Sequence, residues 1–109
     1  MLPNAASAVV EHAKVRDYLL SPSHPVGRFK AVVFTALGYT QQDWQRLRDD
    51  LLLHGRTGQV RPVEPGRYGQ KYLVSGTLAG PNGRTGRFIT VWLVESEAAP
   101  PKFLTAYPE

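Results

Sequence analysis

The fold is decided by residues 72–94, which read YLVSGTLAGPNGRTGRFITVWLV. β-Branched and aromatic residues dominate the two ends of this stretch, Tyr72–Leu78 and Phe88–Val94, as is typical of strands. Between them lies Gly80-Pro81-Asn82-Gly83, and an Asn-Gly pair favours the tight turns of hairpins. Both faces of the second strand are largely apolar. We therefore predict that Phe88–Val94 is a central strand, covered on at least one side by helices.

Two shorter segments extend this hairpin into a sheet. Val60–Val63 contains Pro62, which has no amide proton to donate, so we expect an edge strand there. Lys102–Tyr107 follows Pro100-Pro101 and is the last predicted strand. Strict alternation would place its side chains on two faces, with Phe103, Thr105 and Tyr107 on one and Leu104 and Ala106 on the other.

Before residue 56 the apolar residues follow a helical spacing instead. Three helices are predicted, over Glu11–Leu20, over Val26–Leu37 and from Thr40 to His54-Gly55. Their inward stripes are expected to be Val15, Tyr18 and Leu19, then Phe29, Val33 and Leu37, then Trp44, Leu47 and Leu51. Gly38 is placed to end the second helix in a left-handed C-cap, and Thr40 with Asp43 resembles a capping box. The sequence thus predicts an α+β fold, with about three N-terminal helices packed on a C-terminal antiparallel sheet of three to four strands.

Composition limits the classes of function. With 109 residues, we expect a single domain over 1–109, with a helical half at about 11–55 and a sheet half at about 58–108. Cysteine is absent, which excludes disulfides and thiolate chemistry, and three scattered histidines predict neither a metal site nor a cofactor. No apolar run approaches the roughly 20 residues of a membrane span, and the start lacks the pattern of a signal peptide. We expect a cytoplasmic protein without a membrane partner.

The charge favours an anionic partner. The formal net charge is +4, and residues 56–94 carry six basic residues against Glu64 alone. Arginine excess in one segment suits phosphate, because the guanidinium fork matches its oxygens. The alternative is that the charge only keeps a small domain soluble.

Among the three histidines, His24 is the strongest candidate for chemistry. His12 is expected on the surface, and His54 lies in the last turn of the third helix, where an imidazolium would interact favourably with the helix dipole. His24 instead lies in a loop before a helix, close to Arg28 and Lys30, so an imidazole, two cations and a helix N-terminus could together hold a phosphate. The alternative is that His24 merely caps the adjacent helix.

Three further segments could contact nucleic acid. Arg67-Tyr68-Gly69-Gln70-Lys71-Tyr72 alternates cations with aromatic rings, which suits a sugar–phosphate backbone and stacked bases, or is an ordinary solvated strand end. Residues 80–87, which include Arg84 and Arg87, form a glycine-rich segment without Walker or dinucleotide spacing, and a plain hairpin turn also explains them. Thr105 either hydrogen-bonds within the sheet or presents its hydroxyl to a phosphate.

The residue inventory also limits the enzyme classes. No nucleophile elbow is present, and Asp49-Asp50 point to divergent faces of a helix, which argues against paired-carboxylate chemistry. A metal-independent ribonuclease needs only a proton carrier, cations and hydroxyl groups, and His, Lys, Arg, Tyr and Thr supply them.

Several segments resemble a small bacterial domain family of unknown function. They are residues 14–30 (KVRDYLLSPSHPVGRFK), 36–39 (ALGY), 68–72 (YGQKY), 80–84 (GPNGR), 90–92 (TVW) and 105–108 (TAYP). The family occurs both free-standing and as the C-terminal module of polymorphic and contact-dependent inhibition toxins. Modules of this size and layout resemble the barnase–EndoU–colicin–RelE ribonuclease superfold, whose members often cut tRNA or mRNA without metal.

With this resemblance, we interpret the chain as a toxin-like ribonuclease with RNA as substrate and a small, acidic antitoxin or immunity protein as partner. His24 is assigned as general base or acid, and Lys30 with Arg28 as the holders of the scissile phosphate. The remaining candidates supply charge, stacking or phosphate contacts, namely Lys71, Arg84, Arg67, Arg87, Tyr68 and Thr105. Two alternatives stay open. One is a non-catalytic module that binds protein or RNA. The other is a structural domain whose sheet edge, at Val60–Val63 or Phe103–Tyr107, pairs with a second copy in a homodimer or with an antitoxin strand.

Overall fold

A computed structural model describes residues 1–63 and 65–109. In these residues a short 3₁₀ turn and three helices precede four antiparallel strands, which confirms the predicted α+β class. After the turn at Ala5–Ser7, helix α1 covers His12–Lys14 and continues as a π-helical turn over Val15–Leu19, α2 covers Gly27–Ala36, and α3 covers Trp44–Thr57. The strands are β1 (Gln59–Pro62), β2 (Gln70–Ala79), β3 (Thr85–Val94) and β4 (Lys102–Pro108).

The strands form a meander in the order β1-β2-β3-β4, so β3 is central and β1 is an edge, as predicted. The other edge, β4, is partly occupied by the chain itself. The Val9 amide donates to the Pro101 carbonyl over 2.9 Å, and the Phe103 amide donates to the Val9 carbonyl over 2.9 Å. An edge whose backbone groups are already paired is a poorer template for a second strand. The start of β4 is therefore closed to the pairing that a homodimer would need.

Helices cover one face of the sheet, which we call the inner face. Its side chains come from β2, β3 and β4 and join the hydrophobic core: Val74, Leu78, Phe88, Trp92, Phe103 and Ala106. They pack against fully buried residues of the helices, including Val15, Leu19, Phe34, Leu47 and Leu51. The opposite, outer face carries Leu73, Ile89 and Val91.

The second helix buries a different stripe from the one predicted. Leu37 is buried and Val33 packs against the core, as predicted, but 66% of the Phe29 surface is exposed, and Ala31 and Phe34 are buried in its place. The cause is Gly27, where an added Cβ would lie 1.8 Å from the Tyr18 carbonyl oxygen. That close approach fixes the rotation of α2 about its axis and turns Phe29 to solvent. The Gly38 prediction is confirmed: its φ is 98°, and the amides of Gly38 and Tyr39 donate to Thr35 and Phe34.

Two other local predictions are corrected. The alternation predicted for the last strand was wrong, because a β-bulge opposite Val91 and Trp92 shifts the phase. Phe103 and Ala106 are buried inside, whereas Thr105 pairs with Val91 on the outer side. The capping box is half formed: the Thr40 hydroxyl accepts the Asp43 amide over 3.1 Å, but the Asp43 side chain makes no cap and α3 begins only at Trp44.

His54 lies in the last turn of α3, as predicted, but its interpretation as an imidazolium that interacts with the helix dipole was wrong. Only 3% of His54 is exposed, and α3 runs past it to Thr57. Its Nε2 lies 3.1 Å from the Gly76 carbonyl and 3.0 Å from the Phe88 carbonyl, which accept only, so the proton sits on Nε2. Nδ1 accepts from the Thr90 hydroxyl over 3.0 Å, and Trp92 Nε1 donates to the same hydroxyl oxygen over 2.8 Å. The result is a neutral imidazole in a fully satisfied buried network.

Candidate functional site

Polar side chains from three elements meet beside the β4 edge. We call Tyr18, His24, Lys30, Thr105 and Tyr107 the β4-edge cluster. The Tyr18 hydroxyl lies 3.1 Å from the Thr105 hydroxyl, and the Tyr18 and His24 rings meet edge to face with centroids 5.2 Å apart. His24, Tyr18 and Thr105 are thus joined in one contiguous arrangement.

Helix geometry brings Tyr18 to this position. Leu20 donates its amide to the Val15 carbonyl, an i to i+5 bond of 2.9 Å that defines the π-helical turn. The wider turn buries Val15, Leu19 and Leu20 together and leaves Tyr18 half-buried at the margin of the core. Gly27 then seats α2 directly on the Tyr18 backbone, which fixes the distance between α1 and the start of α2.

His24 caps helix α2 with its ring. The amides of Val26 and Gly27 donate to His24 Nδ1 over 3.0 and 2.9 Å. Because Nδ1 accepts both bonds, the neutral ring carries its proton on Nε2. This is the capping role that the sequence left open as the alternative. Any bond from His24 to a ligand must therefore use Nε2.

Lys30 supplies the positive charge of the cluster. Its ammonium donates to the Ala106 carbonyl on the outer edge of β4 over 3.0 Å and lies 5.7 Å from the centre of the Tyr107 ring. An ammonium has three protons, so two remain for other acceptors. This contact also occupies a backbone carbonyl that an added strand would use.

Arg28 does not join Lys30. Two residues apart on a helix, their side chains are separated by about 200° around the axis. The Arg28 guanidinium lies 4.8 Å from the centre of the Phe29 ring and lines a groove of about 690 Å³ with Leu20 and Pro22. Arg28 and Lys30 therefore lie on different sides of α2, and of the two only Lys30 contacts β4.

The remaining candidates separate to opposite ends of the sheet. Arg67 and Tyr68 lie in the exposed connection before β2, whereas Arg84 lies at the turn after it. Ten residues of β2 stand between these ends, or about 30 Å of extended chain. Arg67 and Arg84 cannot contact the same phosphate.

Lys71 also stays apart from the β4-edge cluster. It pairs with Leu93, while Thr105 pairs with Val91 on the far side of β3. Lys71 and Thr105 are two strands apart across the sheet and two residues apart along the strand direction, so their Cα atoms are about 12 Å apart. Arg87 lies on the outer face and contacts Ser75 and Glu109 rather than the cluster.

Sequence reasoning missed Tyr18, because its spacing with Val15 and Leu19 indicates a core stripe. The signal that could have found it is the polar hydroxyl at the edge of an apolar stripe, since a buried Tyr hydroxyl needs a partner. In residues 1–63 and 65–109 no group of three or more His, Asp or Glu side chains is placed to hold a metal ion. No helix within those ranges has the length and apolar character needed to cross a membrane.

Comparison with solved structures identifies a protein that shares this fold. One chain of a contact-dependent growth inhibition toxin–immunity protein complex from Klebsiella pneumoniae 342 is similar to this structure, with a TM-score of 0.71. The likeness covers 99% of this chain and 98% of that chain at 19% sequence identity, so it shows a shared fold. The chain belongs to the family described as a domain of unknown function, DUF6883, whose model matches residues 1–109. No curated protein sequence matches the chain.

Proposed function

We propose that this chain is a toxin-like, metal-independent endoribonuclease that cleaves cellular RNA and is neutralised by a cognate acidic immunity protein. The observation that carries the proposal is the β4-edge cluster, in which the Tyr18 side chain contacts the Thr105 hydroxyl and the His24 ring. The Lys30 ammonium binds the carbonyl of Ala106, the residue after Thr105. The shared fold with a chain from a toxin–immunity protein complex supports it, as does the net charge of +4. The cleavage would take place in the cytoplasm, where tRNA and mRNA are found.

The chemistry of such a site follows from its donors. The ribose 2′-oxygen loses its proton to water and forms a bond to phosphorus while the bond to the 5′-oxygen breaks. The 5′-oxygen takes up a proton from water, so the products are a cyclic phosphate and a 5′-hydroxyl. Negative charge grows on the phosphate oxygens in this step, and preorganised donors stabilise it more than they stabilise the ground state. We assign Lys30 to this charge and the hydroxyls of Tyr18 and Thr105 to the phosphate oxygens.

The capping bonds restrict what His24 contributes. As a general base through Nε2, His24 would need the other tautomer, whose Nδ1 proton would point at two amide protons. A neutral imidazole held at a helix N-terminus can instead act as a hydrogen-bond donor in catalysis. We therefore assign the Nε2–H group of His24 as a hydrogen-bond donor to the leaving 5′-oxygen, with the proton staying on the ring.

The first test is cleavage of total bacterial RNA in EDTA, with the new ends mapped. Wild type should give discrete products with cyclic phosphate ends, and Lys30→Gln should lose about 100-fold in rate or more. Lys102→Gln is the matched control, because Lys102 lies on the strand that Lys30 contacts but pairs with Glu95 away from the cluster. Absence of cleavage by wild type, or equal loss in both lysine variants, would refute the assignment.

His24 needs two substitutions, because its removal also removes a helix cap. His24→Asn retains an acceptor for the two amides, since Asn is a favoured N-cap residue, but it has no Nε2 proton. His24→Ala lacks both. If the Nε2 proton is used, both variants lose activity while only His24→Ala loses thermal stability. Full activity in His24→Asn would mean that His24 serves only as the cap of α2 and takes no part in cleavage.

A second candidate function, a non-catalytic module that binds a protein, is favoured by the exposed side of α2. Val26, immediately before α2, is 56% exposed, and Phe29 and Val32 on the helix are 66% and 71% exposed, which is unusual for three neighbouring apolar residues. If the chain is such a module, wild type should cleave no RNA, and Phe29→Ser should abolish capture of an immunity protein. For self-association, β1 is the edge that is left, and size-exclusion chromatography at several concentrations tests it.

A further inference from the structure

The outer face of the sheet contains a cavity that the proposed cleavage chemistry does not use. Its volume is about 340 Å³, and it is lined by Gln59, Val60, Arg61, Leu73, Ser75, Ile89 and Glu109. Strand pairing explains this grouping: Gln59 pairs with Ser75, and Ser75 pairs with Ile89 across β2 and β3. Arg61 lies two residues after Gln59 in β1, so the two side chains share a face of the sheet.

A carboxylate already sits at this cavity. The Ser75 hydroxyl donates to Glu109 Oε1 over 2.6 Å, and the Arg87 guanidinium lies 3.3 Å from the same oxygen. Arg87 also donates to the Ser75 hydroxyl over 2.9 Å, so a guanidinium and a hydroxyl converge on one anionic oxygen. The backbone holds this residue in place, because the Glu109 amide donates to the Arg87 carbonyl over 3.0 Å.

The carboxylate is weakly held. The Arg87 and Glu109 side chains are 58% and 42% exposed, and ion pairs with such exposure contribute little to stability. Among the described residues that line the cavity, Glu109 is the sole acidic one and Arg61 is the sole cation. Arg87 does not line the cavity but contacts Ser75 and Glu109, which do. Displacement of the carboxylate would therefore leave the Arg61 guanidinium, the Ser75 hydroxyl and the Gln59 amide at the cavity, with Arg87 beside Ser75.

We infer that this cavity is an oxyanion site for a phosphodiester group of single-stranded RNA, and that the Glu109 carboxylate occupies it when RNA is absent. The inference rests on the proposed function, since it places the RNA strand on the outer face beside the β4-edge cluster. RNA is favoured over an acidic protein because Tyr107 lies in the same strand row as Ser75 and Ile89, and an aromatic ring beside guanidinium groups suits a base next to its phosphate.

The experiment measures binding apart from cleavage. A fluorescent RNA oligonucleotide with 2′-O-methyl riboses has no free 2′-hydroxyl, so the proposed reaction cannot occur, and its affinity for the full chain follows from anisotropy. Glu109→Gln should tighten binding about threefold, because a neutral amide no longer competes for Arg87. Arg87→Gln should weaken binding about tenfold and lower the salt slope by about one. In the Arg87→Gln background, Glu109→Gln should have no further effect.

Helix α3 offers matched controls. Arg48 and Asp49 form an exposed ion pair of 3.0 Å there, on the helical side of the sheet. Arg48→Gln and Asp49→Asn make the same changes of net charge as the two test variants. If each test variant binds RNA no differently from its control, the inference is overturned. It is also overturned in favour of a protein partner if a polyglutamate peptide binds through Arg87 and the oligonucleotide does not.

The two proposals can fail separately. Cleavage by wild type together with unaltered binding in Glu109→Gln and Arg87→Gln removes the oxyanion site and keeps the ribonuclease. Conversely, binding of the oligonucleotide that depends on Arg87, without cleavage of natural RNA, keeps the site on an RNA-binding module.

Discussion

Acid should destabilise this protein through His54. Burial lowers the pKa of His54 from its ordinary 6.5. This effect is larger than that of the hydrogen bonds to the Gly76 and Phe88 carbonyls, which raise the pKa, and Arg87 lowers the pKa further. An unfolded chain therefore binds the proton at a higher pH than the folded protein does. The contribution to stability is present above pH 6.5 and is lost progressively as the pH falls toward the lower folded value.

The size of the loss follows from proton linkage. One pH unit below 6.5, the unfolded histidine is mostly protonated, whereas the buried ring, whose pKa is lowered, binds the proton less readily. The free energy of unfolding should then fall between pH 7.5 and 5.5, by at most about 1.4 kcal/mol, which is the limit for a ring that takes up no proton in this range. His54→Gln is the comparison, since a Gln amide can donate to a carbonyl and accept from Thr90 but does not titrate. All other titratable groups are shared by the two proteins and cancel.

Urea unfolding followed by tryptophan fluorescence at the two pH values measures this difference. The reasoning is refuted if wild type loses no more stability on acidification than His54→Gln does. Should the variant fail to fold, nitrogen NMR of the wild-type ring decides the point. A neutral ring with the proton on Nε2 at pH 5.5 is expected, and a doubly protonated ring contradicts the network.

Three further predictions follow from packing. Gly27→Ala should lower the free energy of unfolding by about 3 kcal/mol or more, because the added methyl would overlap the Tyr18 carbonyl; urea unfolding checks this. Thr90→Val removes the hydroxyl that bonds both the His54 and the Trp92 rings, so the free energy of unfolding should fall by about 2 kcal/mol in the same assay. An unchanged free energy of unfolding would mean that the two rings find other partners. Phe29→Ser should change stability by less than about 0.5 kcal/mol, whereas Phe34→Ala should cost about 3–5 kcal/mol; equal losses would contradict the rotation of α2.

Much of the fold was predictable because it rests on local signals. The hairpin around Gly80–Gly83, the edge position of β1 and the left-handed Gly38 each follow from a residue type whose backbone preference is strong. Errors arose where tertiary contact overrode periodicity. Phe29 has helical spacing with Val33 and Leu37, but the contact of Gly27 with α1 rotates it outward.

The candidate site was predictable only in part. His24, Lys30 and Thr105 were selected by chemistry, and they lie in one region, whereas Arg28 and Lys71 were selected by the same reasoning and lie elsewhere. Residue type indicates what a side chain can do, but its neighbours across the chain decide what it does. For His24 the two amides that engage Nδ1 determine which ring nitrogen is free.

By itself the sequence determined the order of helices before strands, the pairing of the central hairpin and the basic character of the sheet half. These properties depend on spacing, turn residues and charge, which act over short distances along the chain. Only the tertiary structure decided that Tyr18 meets Thr105 across 87 positions, and that His54 is neutral and buried. It alone brought Glu109 onto Arg87 and Ser75. Such contacts depend on the rotation of each helix and the phase of each strand, which close packing of the whole core fixes together.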